Sequence, residues 1–373
     1  MRLYNDESET LTDSPGSAVI LFDCDGNRVL FQDNERVIRP VASLTKLATA
    51  LAVLECVDDP TSTSIEVTQS SIDEVDRLEG KLAGFENWVG SRFSVMDYLY
   101  GLLIESGCEA GFLLADYVSG GNRPAFIERL NALARGAGCR DTRFCDPCGL
   151  LDESQSTAYD VLLLFRRVLE HPTLRRITST TRWVLPHFSW PIVQTNELKR
   201  FDLPHFFPYA VCGKTGTTEM AGRCLACSFE RNGKTYIAVA LGGELDDPAR
   251  FFQKFAALVC GAFAREGPFM RITVDHHELN ASAGDRFRLH PRCVYNNTGE
   301  APRFRFESLN PDIAGVDAHG LVTVRRTGVC QIEIAVQTGD YDLVCVNTCG
   351  SDLVCIERCA SGCPREASQL TFR

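Results

Sequence analysis

The sequence lacks the features by which nucleic-acid-binding and membrane-spanning proteins are usually identified. No basic run stands out, and the formal net charge of the 373 residues is −11, so a nucleic-acid partner has little support. No apolar run reaches the length of a transmembrane segment. Residues 1–17 are polar and contain no apolar stretch of the kind found in a signal peptide. The protein is therefore predicted to be cytoplasmic, or to be exported with its leader already removed.

A pattern of metal ligands is also lacking. The 7 histidines show no ligand spacing, and of the two C-x-x-C pairs, residues 145–148 and 224–227, the second lies on a predicted strand. Side chains three positions apart on a strand point to opposite faces, so this pair is poorly placed to share one ion. We therefore expect packed thiols rather than zinc, and we predict neither a metal nor a cofactor.

Cysteine, by contrast, is abundant, with 17 residues. The number is odd, so at least one thiol is unpaired within the chain. Most lie in apolar contexts, where a free cysteine behaves as a small buried hydrophobe. The exception is a dense C-terminal cluster, for which disulfides in an exported protein are the leading interpretation and metal binding the second. The cluster consists of Cys345, Cys349, Cys355, Cys359 and Cys363.

The order of the predicted elements indicates an α+β domain over residues 18–266. Alternating apolar runs near residues 18–32 and 209–242 predict strands at both ends of this region, and helical patterns lie between them. Strands at both ends with helices between them are expected to share one sheet.

Three local predictions accompany this scheme. Residues 57–80 carry little periodicity and are interpreted as a surface insertion with a short strand at 64–67. A helix is predicted over 157–170, with Ser156 as its N-cap and Pro172 beyond its end.

The composition changes after Gly267. Short alternating runs separated by turn residues replace the helical patterns, which predicts an all-β sandwich over residues 269–346. The predicted organisation is a flexible lead-in (1–17), the α+β domain, the sandwich, and a cysteine-rich tail (347–373).

One short stretch offers a nucleophile and a base. Residues 43–46 read S-x-x-K and open an Ala- and Leu-rich run without Gly or Pro, which predicts a helix. Ser43 and Lys46 would lie one turn apart on the same face. A serine hydroxyl becomes a good nucleophile when a neighbouring base takes its proton. A lysine can be that base when burial or a nearby cation lowers its pKa. A single S-x-x-K is common in proteins and carries little weight alone.

Two further motifs follow in order. Ser106-Gly107-Cys108 stands at the end of an apolar predicted helix, and Lys214-Thr215-Gly216-Thr217 follows a short predicted strand. A lysine at a strand edge, followed by hydroxyls and an unobstructed backbone, can pair with an extended substrate and hold its carboxylate. S-x-x-K, S-D-N and K-T-G are the motif set of class A β-lactamases and penicillin-binding proteins, and this chain carries related motifs in the same order.

In these motifs and their surroundings the sequence resembles the low-molecular-mass penicillin-binding proteins, which are D-alanyl-D-alanine carboxypeptidases of the S11 serine peptidase type. Residues 102–110 resemble that family's LLxxSGNDA segment, residues 126–150 its FxxxMNxxAxxLGxxxTxFxxxxGL segment, and residues 212–222 its GxKTGxTxxAG segment. The resemblance covers about residues 18–265. It implies the fold of the serine β-lactamases and penicillin-binding proteins, an antiparallel sheet with a helical cluster.

The resemblance also implies a role for each motif residue. Ser43 would be the acylated nucleophile, Lys46 its base, and Ser106 a proton relay toward the leaving amine. Residues 214–217 would bind the terminal carboxylate of the substrate, and the backbone N–H groups of Ser43 and Thr217 would form the oxyanion hole. The implied substrate is a peptidoglycan stem peptide ending in D-Ala-D-Ala, and a β-lactam would acylate Ser43 as its mimic.

Two positions depart from the family pattern. Cys108 replaces the Asn that normally orients the substrate amide, and a thiol is a weaker hydrogen-bond partner. Cys148 replaces a His that is often found before Gly-Leu. One alternative is therefore a catalytically impaired protein that kept the fold for binding or as a scaffold. Another is a class A-like β-lactamase, which needs a deacylating Glu in an E-x-x-L-N context. No such pentapeptide occurs between residues 106 and 214, but Glu153 is a loop carboxylate to be checked.

The C-terminal region has a resemblance of its own. Residues 310–317, residues 320–324, Gly328 and Ile332 are similar to bacterial Ig-like group 2 domains. Such modules occur in surface and secreted proteins, which implies an extracytoplasmic location. A rigid stalk without a ligand is the favoured interpretation, with wall or carbohydrate binding as the alternative.

Overall fold

The computed structural model describes residues 17–348. The predicted lead-in, except for its last residue, and nearly all of the predicted cysteine-rich tail therefore lie outside the described residues. None of the helices in this range is long and apolar enough to cross a membrane.

The described residues form eight α-helices. Three short 3₁₀ turns and one π-helical turn, Gly101–Glu105, supplement them. The helices are α1 (Thr45–Leu54), α2 (Gln69–Arg77), α3 (Val95–Tyr100), α4 (Cys108–Ser119), α5 (Arg123–Gly136), α6 (Ala158–Glu170), α7 (Pro172–Ser179) and α8 (Pro248–Glu266).

Strands occur in two groups, before and after α8. The first group is β1 (Ala18–Asp23), β2 (Arg28–Asp33), β3 (Arg39–Pro40), β4 (Ser64–Glu66), β5 (Arg92–Ser94), β6 (Gln155–Ser156), β7 (Arg182–Trp183), β8 (Ile192–Val193), β9 (Ala210–Thr218), β10 (Gly222–Arg231) and β11 (Lys234–Gly243). The second group is β12 (Met270–Thr273), β13 (Glu278–Asn280), β14 (Arg286–Arg288), β15 (Arg292–Asn296), β16 (Arg305–Ser308), β17 (Ala314–Val316), β18 (Leu321–Val324), β19 (Val329–Ala335) and β20 (Tyr341–Asn347).

A five-stranded antiparallel sheet of order β2-β1-β11-β10-β9 forms the centre of the first region. Ala18 of the first strand pairs with Leu241 of the last, so both ends of the region meet in one sheet, as predicted. Because helices cover both faces, the strands are apolar on both sides: all six residues of β1 are buried. Cys224 and Cys227 contribute to the cores on opposite faces, which confirms that they do not converge.

The two faces of this sheet carry different helices. The α8 helix covers one face, and its aromatic side chains, among them Phe255 and Phe263, pack against the strands. The other face carries the larger core, which includes α1 and α6. Each large apolar side chain that is fully buried contributes about 1.5–3 kcal/mol. The sheet is thereby a rigid support for motifs at the ends of α1 and along β9.

Several local predictions were wrong. The segment interpreted as a surface insertion contains helix α2, whose Ile72 and Val75 are buried although its mean composition is polar. The N-cap of α6 is Thr157, whose hydroxyl accepts from the amide of residue 160, whereas Ser156 belongs to β6. Pro172 lies beyond the end of α6, as predicted, and it also opens a helix that was not predicted, α7, because proline is well accommodated in a first helical turn.

Between α8 and residue 348, strands are the only regular elements. These strands form three sheets, of orders β12-β15, β13-β20-β19-β16 and β14-β18-β17, around a separate apolar core. An all-β region was predicted, and the strands bear this out. Its assignment to the Ig-like group 2 domains remains a prediction.

A buried polar network joins this all-β region to the rest of the protein. The carboxylate of Asp340 accepts hydrogen bonds from the Arg231 guanidinium (2.7 Å) and from the Tyr209 hydroxyl (3.0 Å). Its other oxygen accepts from the amide of Met270 at 2.8 Å. Because this carboxylate is buried and fully bonded, the network ties β10 to the start and the end of the all-β region.

Candidate active site

Ser43 lies in a tight turn held by two glycines. It belongs to a 3₁₀ turn, Ala42–Leu44, immediately before α1, and Ala42 has a positive φ of 46°. A Cβ added to Gly149 would stand 1.8 Å from the carbonyl oxygen of Ala42, and one added to Gly216 would stand 3.1 Å from the amide nitrogen of Ser43. Backbone from two other segments therefore approaches the serine more closely than any side chain would allow.

Lys46 lies one turn beyond Ser43, as the spacing predicted. Its ammonium nitrogen is 2.6 Å from the Ser43 hydroxyl, and the side chain is fully buried. It also lies 3.4 Å from the Ser106 hydroxyl and 3.3 Å from the Cys108 sulfur. The first and second predicted motifs thus meet at this one nitrogen.

Ser106 joins the two lysines of the site. It ends the π-helical turn with a left-handed conformation (φ 70°), which turns its hydroxyl back into the site. The hydroxyl accepts from the ammonium of Lys214 at 2.8 Å. A continuous chain of polar atoms therefore runs from Ser43 through Lys46 and Ser106 to Lys214, and a proton can move along it.

The third motif belongs to β9, which is longer than predicted and contains the whole K-T-G-T segment. This strand lies at one edge of the central sheet. An edge strand has backbone groups free to pair with an extended peptide. The Thr215 hydroxyl lies 2.5 Å from that of Thr195, a residue that sequence reasoning missed because nothing marks a lone threonine in a loop.

A cleft of about 210 Å³ opens over these residues. The predicted residues Ser43, Ser106, Thr215, Gly216 and Thr217 line it, whereas Lys46, Cys108 and Lys214 lie buried beneath it. The remaining lining residues are Lys81, Thr195, Glu197, Arg223, Cys224, Phe251 and Phe252.

The surroundings of the two buried lysines shift their pKa values in opposite directions. Burial lowers the pKa of Lys214 well below its ordinary value, and the neighbouring charge on Lys46 lowers it further. Burial also acts to lower the pKa of Lys46, but negative charge nearby, above all on Cys108 at 3.3 Å, outweighs it and raises that pKa. The two lysines therefore differ in how strongly they hold a proton, and the Ser106 hydroxyl links them.

Cys108 is the source of that negative charge. A hydrogen bond from the Cys148 thiol, together with the positive charge of Lys46, lowers the pKa of Cys108 to about 5 against the opposing effect of burial. Burial raises the pKa of Cys148 well above its ordinary value, so that thiol keeps its proton. Cys108, which replaces the family's Asn, is therefore a thiol that ionises readily beside the Lys46 nitrogen.

An anchored loop positions the turn that carries Ser43. The Asp146 carboxylate accepts hydrogen bonds from the amides of residues 148–151 at 2.6–3.1 Å. This loop places Gly149 against Ala42, and it was missed because a single aspartate gives no sequence signal. The only sign of this loop in the sequence was the family segment that ends in Gly149-Leu150.

The structure also answers the question about a deacylating carboxylate. Glu153 is exposed and does not line the cleft. The glutamate that does line it is Glu197, which lies 2.8 Å from the imidazole of His205. Within residues 17–348, no group of three or more potential metal ligands occurs.

Comparison with known proteins points to one family. The model of the S11 peptidase family, D-alanyl-D-alanine carboxypeptidase, matches residues 6–244. The D-alanyl-D-alanine carboxypeptidase DacF of Bacillus subtilis is 28% identical over 232 residues, which are 60% of this chain and 57% of that protein. The D-alanyl-D-alanine endopeptidase of Escherichia coli is 30% identical over 230 residues, which are 61% of this chain and 70% of that protein. The chain thus spans little more than half of the length of the Bacillus subtilis protein.

Solved structures show the same similarity. A D-alanyl-D-alanine carboxypeptidase from Mycobacterium tuberculosis is 26% identical with a TM-score of 0.59, covering 69% of this chain and 95% of that one. The Streptomyces K15 DD-transpeptidase has a TM-score of 0.61 at 22% identity, covering 69% of this chain and 99% of that one. At that identity the second likeness speaks for the fold, which is the penicillin-binding α+β fold predicted from the sequence.

Proposed function

Since the chain belongs to the S11 family of D-alanyl-D-alanine carboxypeptidases, we propose that it is a serine-type D,D-peptidase. Its proposed substrate is a peptidoglycan stem peptide that ends in D-Ala-D-Ala, from which it removes the last residue. The observation that carries this proposal is the 2.6 Å contact between the Ser43 hydroxyl and the buried Lys46 nitrogen. A serine needs such a neighbour to become a nucleophile at neutral pH.

We assign the proton path to the chain of polar atoms beneath the cleft. Lys46 first gives a proton through Ser106 to Lys214, and its freed amine then takes the proton of Ser43 as the Ser43 oxygen attacks the carbonyl carbon. When the C–N bond breaks, Ser106 returns a proton to the leaving amine of D-alanine. This order satisfies the charges of the site, because a protonated lysine has no lone pair and cannot accept a proton before it has released one.

The oxyanion hole is assigned to the backbone N–H groups of Ser43 and Thr217. Gly216 lets β9 approach the Ser43 turn closely, since a Cβ at this position would stand 3.1 Å from the Ser43 amide nitrogen. Such donors stabilise charge that develops only in the transition state, and loss of one costs about 10²–10³ in rate. The tight approach around Gly216 is the reason for expecting this assignment.

Substrate binding is assigned to the free edge of β9. An extended peptide can pair with this strand, and its terminal carboxylate is held by Lys214, Thr215 and Thr217. Thr195 positions Thr215 through the contact between their hydroxyls. Cys108 takes the place of an amide-binding Asn, so we expect the strand edge to supply most of the substrate's orientation.

The cycle ends when water hydrolyses the acyl–Ser43 ester. A β-lactam would acylate the same serine because its ring amide mimics D-Ala-D-Ala. As a peptidoglycan-acting protein, the chain is proposed to work outside the cytoplasmic membrane. The proposed domains are a peptidase domain (18–266) and an Ig-like module (269–346), with the module acting as a stalk.

A labelling experiment tests the proposal. The protein is incubated with a fluorescent penicillin, and covalent label is sought on the wild type, on Ser43→Ala and on Ser70→Ala, which changes an exposed serine outside the cleft. We expect label on the wild type and on Ser70→Ala, with none on Ser43→Ala. No label on folded wild type at saturating drug would favour the catalytically impaired binding protein instead.

A second measurement separates a peptidase from a β-lactamase. Release of D-alanine is followed from a peptide ending in D-Ala-D-Ala, and the lifetime of the penicilloyl protein is measured in parallel. We expect D-alanine release together with a long-lived penicilloyl adduct, because Glu153 lies outside the cleft. Rapid loss of the adduct without D-alanine release would favour the β-lactamase.

A further inference from the structure

Two buried cysteines lie together beside the buried lysine of the site. Cys108 opens helix α4 and is 1% exposed, and Cys148 lies in the loop anchored by Asp146 and is fully buried. The Cys148 thiol reaches to 3.2 Å from the carbonyl oxygen of Cys108, and the two side chains share one small apolar cluster.

Two glycines make room for this pair. A Cβ on Gly111 would stand 2.4 Å from the Cys148 sulfur, and a Cβ on Gly80 would stand 3.3 Å from the Cβ of Cys108. A side chain at Gly111 would displace the Cys148 sulfur, and one at Gly80 would crowd the Cβ of Cys108.

The charge of Lys46 depends on the state of this pair. The charged or titratable groups that face its nitrogen are Cys108 at 3.3 Å, Cys148, the Asp146 carboxylate and Lys214, which connects through Ser106. Among them the Cys108 thiolate makes the closest charged contact. The mechanism proposed above makes no use of Cys148, so its place beside Cys108 is otherwise unexplained.

We propose that Cys108 and Cys148 form a thiol–disulfide site, and that its oxidation state sets the charge of Lys46 and so the pH range of Ser43 acylation. The consequence for acylation rests on the proposed function, whereas formation of the bond does not. In the reduced state Lys46 is held as the partner of a thiolate. In the oxidised state that thiolate is gone, and burial favours the neutral amine.

A small peroxide is the oxidant that we name. The Cys108 thiolate attacks one peroxide oxygen, the O–O bond breaks, and hydroxide leaves, which produces a sulfenic acid. The sulfur of Cys148 then attacks the Cys108 sulfur, the S–O bond breaks, and the thiol proton leaves with the hydroxyl group as water. Two thiols are oxidised by two electrons in total, and one peroxide is reduced to two waters.

Peptide mapping tests formation of the bond. Folded protein is treated with hydrogen peroxide, remaining thiols are alkylated, and the 108–148 linkage is sought by mass spectrometry with and without reductant. We expect the linkage in the wild type and in Cys260→Ala, a control that removes a buried thiol on α8. We expect no linkage in Cys148→Ala or Cys148→Ser, where a sulfenic acid at Cys108 should be trapped by dimedone.

Two further readouts test the charge of Lys46. The first is the pH profile of penicillin acylation, whose acidic limb should move at least one pH unit lower on oxidation and return with reductant. The second needs no activity: it is the pH titration of the Lys46 side-chain ¹³Cε signal, assigned with Lys46→Arg. The chain has only six lysines, so the spectrum is simple. Its midpoint should fall on oxidation.

The outcomes of these experiments test the thiol site and the proposed function separately. Absence of the 108–148 linkage at peroxide concentrations that oxidise the exposed Cys56 overturns the proposal. So does a linkage that leaves the Lys46 midpoint in place. If neither state is acylated, the proposed function fails, while the peptide map and the lysine titration still decide the thiol site.

Discussion

The buried carboxyl group of Glu109 should make this protein less stable as the pH rises. Glu109 follows Cys108 on α4 and is fully buried. One of its oxygens accepts from the amide of Ala83 at 2.6 Å, and the other has no hydrogen-bond partner. Burial therefore raises the pKa of this carboxyl group from 4.5 to about 8.

The size of the effect follows from that change in pKa. Between pH 4.5 and pH 8 the folded protein holds a proton on Glu109 that the unfolded chain has released. Stability from this group is thus complete below pH 4.5 and is lost as the pH rises through 8. At about 1.4 kcal/mol per pKa unit, the whole loss is about 5 kcal/mol.

Glu109→Gln removes the charge and keeps an acceptor for Ala83. The free energy of unfolding is measured by urea titration with tryptophan fluorescence at several pH values from 5 to 9. We expect the variant to lose less stability than the wild type over this range, by several kcal/mol, and to be the more stable protein at pH 9. Glu105→Gln, at the partly exposed ion pair with Lys81, serves as control and should keep the wild-type slope. Equal slopes for wild type and Glu109→Gln would falsify the reasoning.

Two other substitutions test the supports of the site and of the fold. Gly149→Ala places a methyl group 1.8 Å from the Ala42 carbonyl oxygen at a φ of 75°, so penicillin acylation should fall at least 100-fold. The control Gly136→Ala, where nothing lies within 4 Å, should be acylated normally. Normal labelling of Gly149→Ala would refute the role of this contact. Asp340→Ala leaves the buried Arg231 guanidinium without its carboxylate partner, so the free energy of unfolding should fall by about 3–5 kcal/mol. A loss below about 1 kcal/mol in urea titration would contradict the network between the two regions.

Much of the architecture could be predicted because it follows from local patterns. The apolar runs near residues 18–32 and the helical pattern over 157–170 depend on neighbouring residues only, so these elements were predicted within a few positions. Helix α2 was missed because its composition is polar and only its contacts with α4 bury it. Pro172 was correctly placed beyond the end of α6, but helix α7, which it opens, was not predicted.

The sequence by itself determined which residues carry the chemistry: the order of Ser43-x-x-Lys46, Ser106 and Lys214-Thr215-Gly216 was enough to predict the site and the family. Only the tertiary structure decided how these groups are charged. Burial, and the meeting of α1, α4 and β9 at one point, separate the pKa values of the two lysines and ionise Cys108. The reason is physical: desolvation and Coulomb interaction depend on distance in space, and those partners lie 40 to 170 residues apart in the chain.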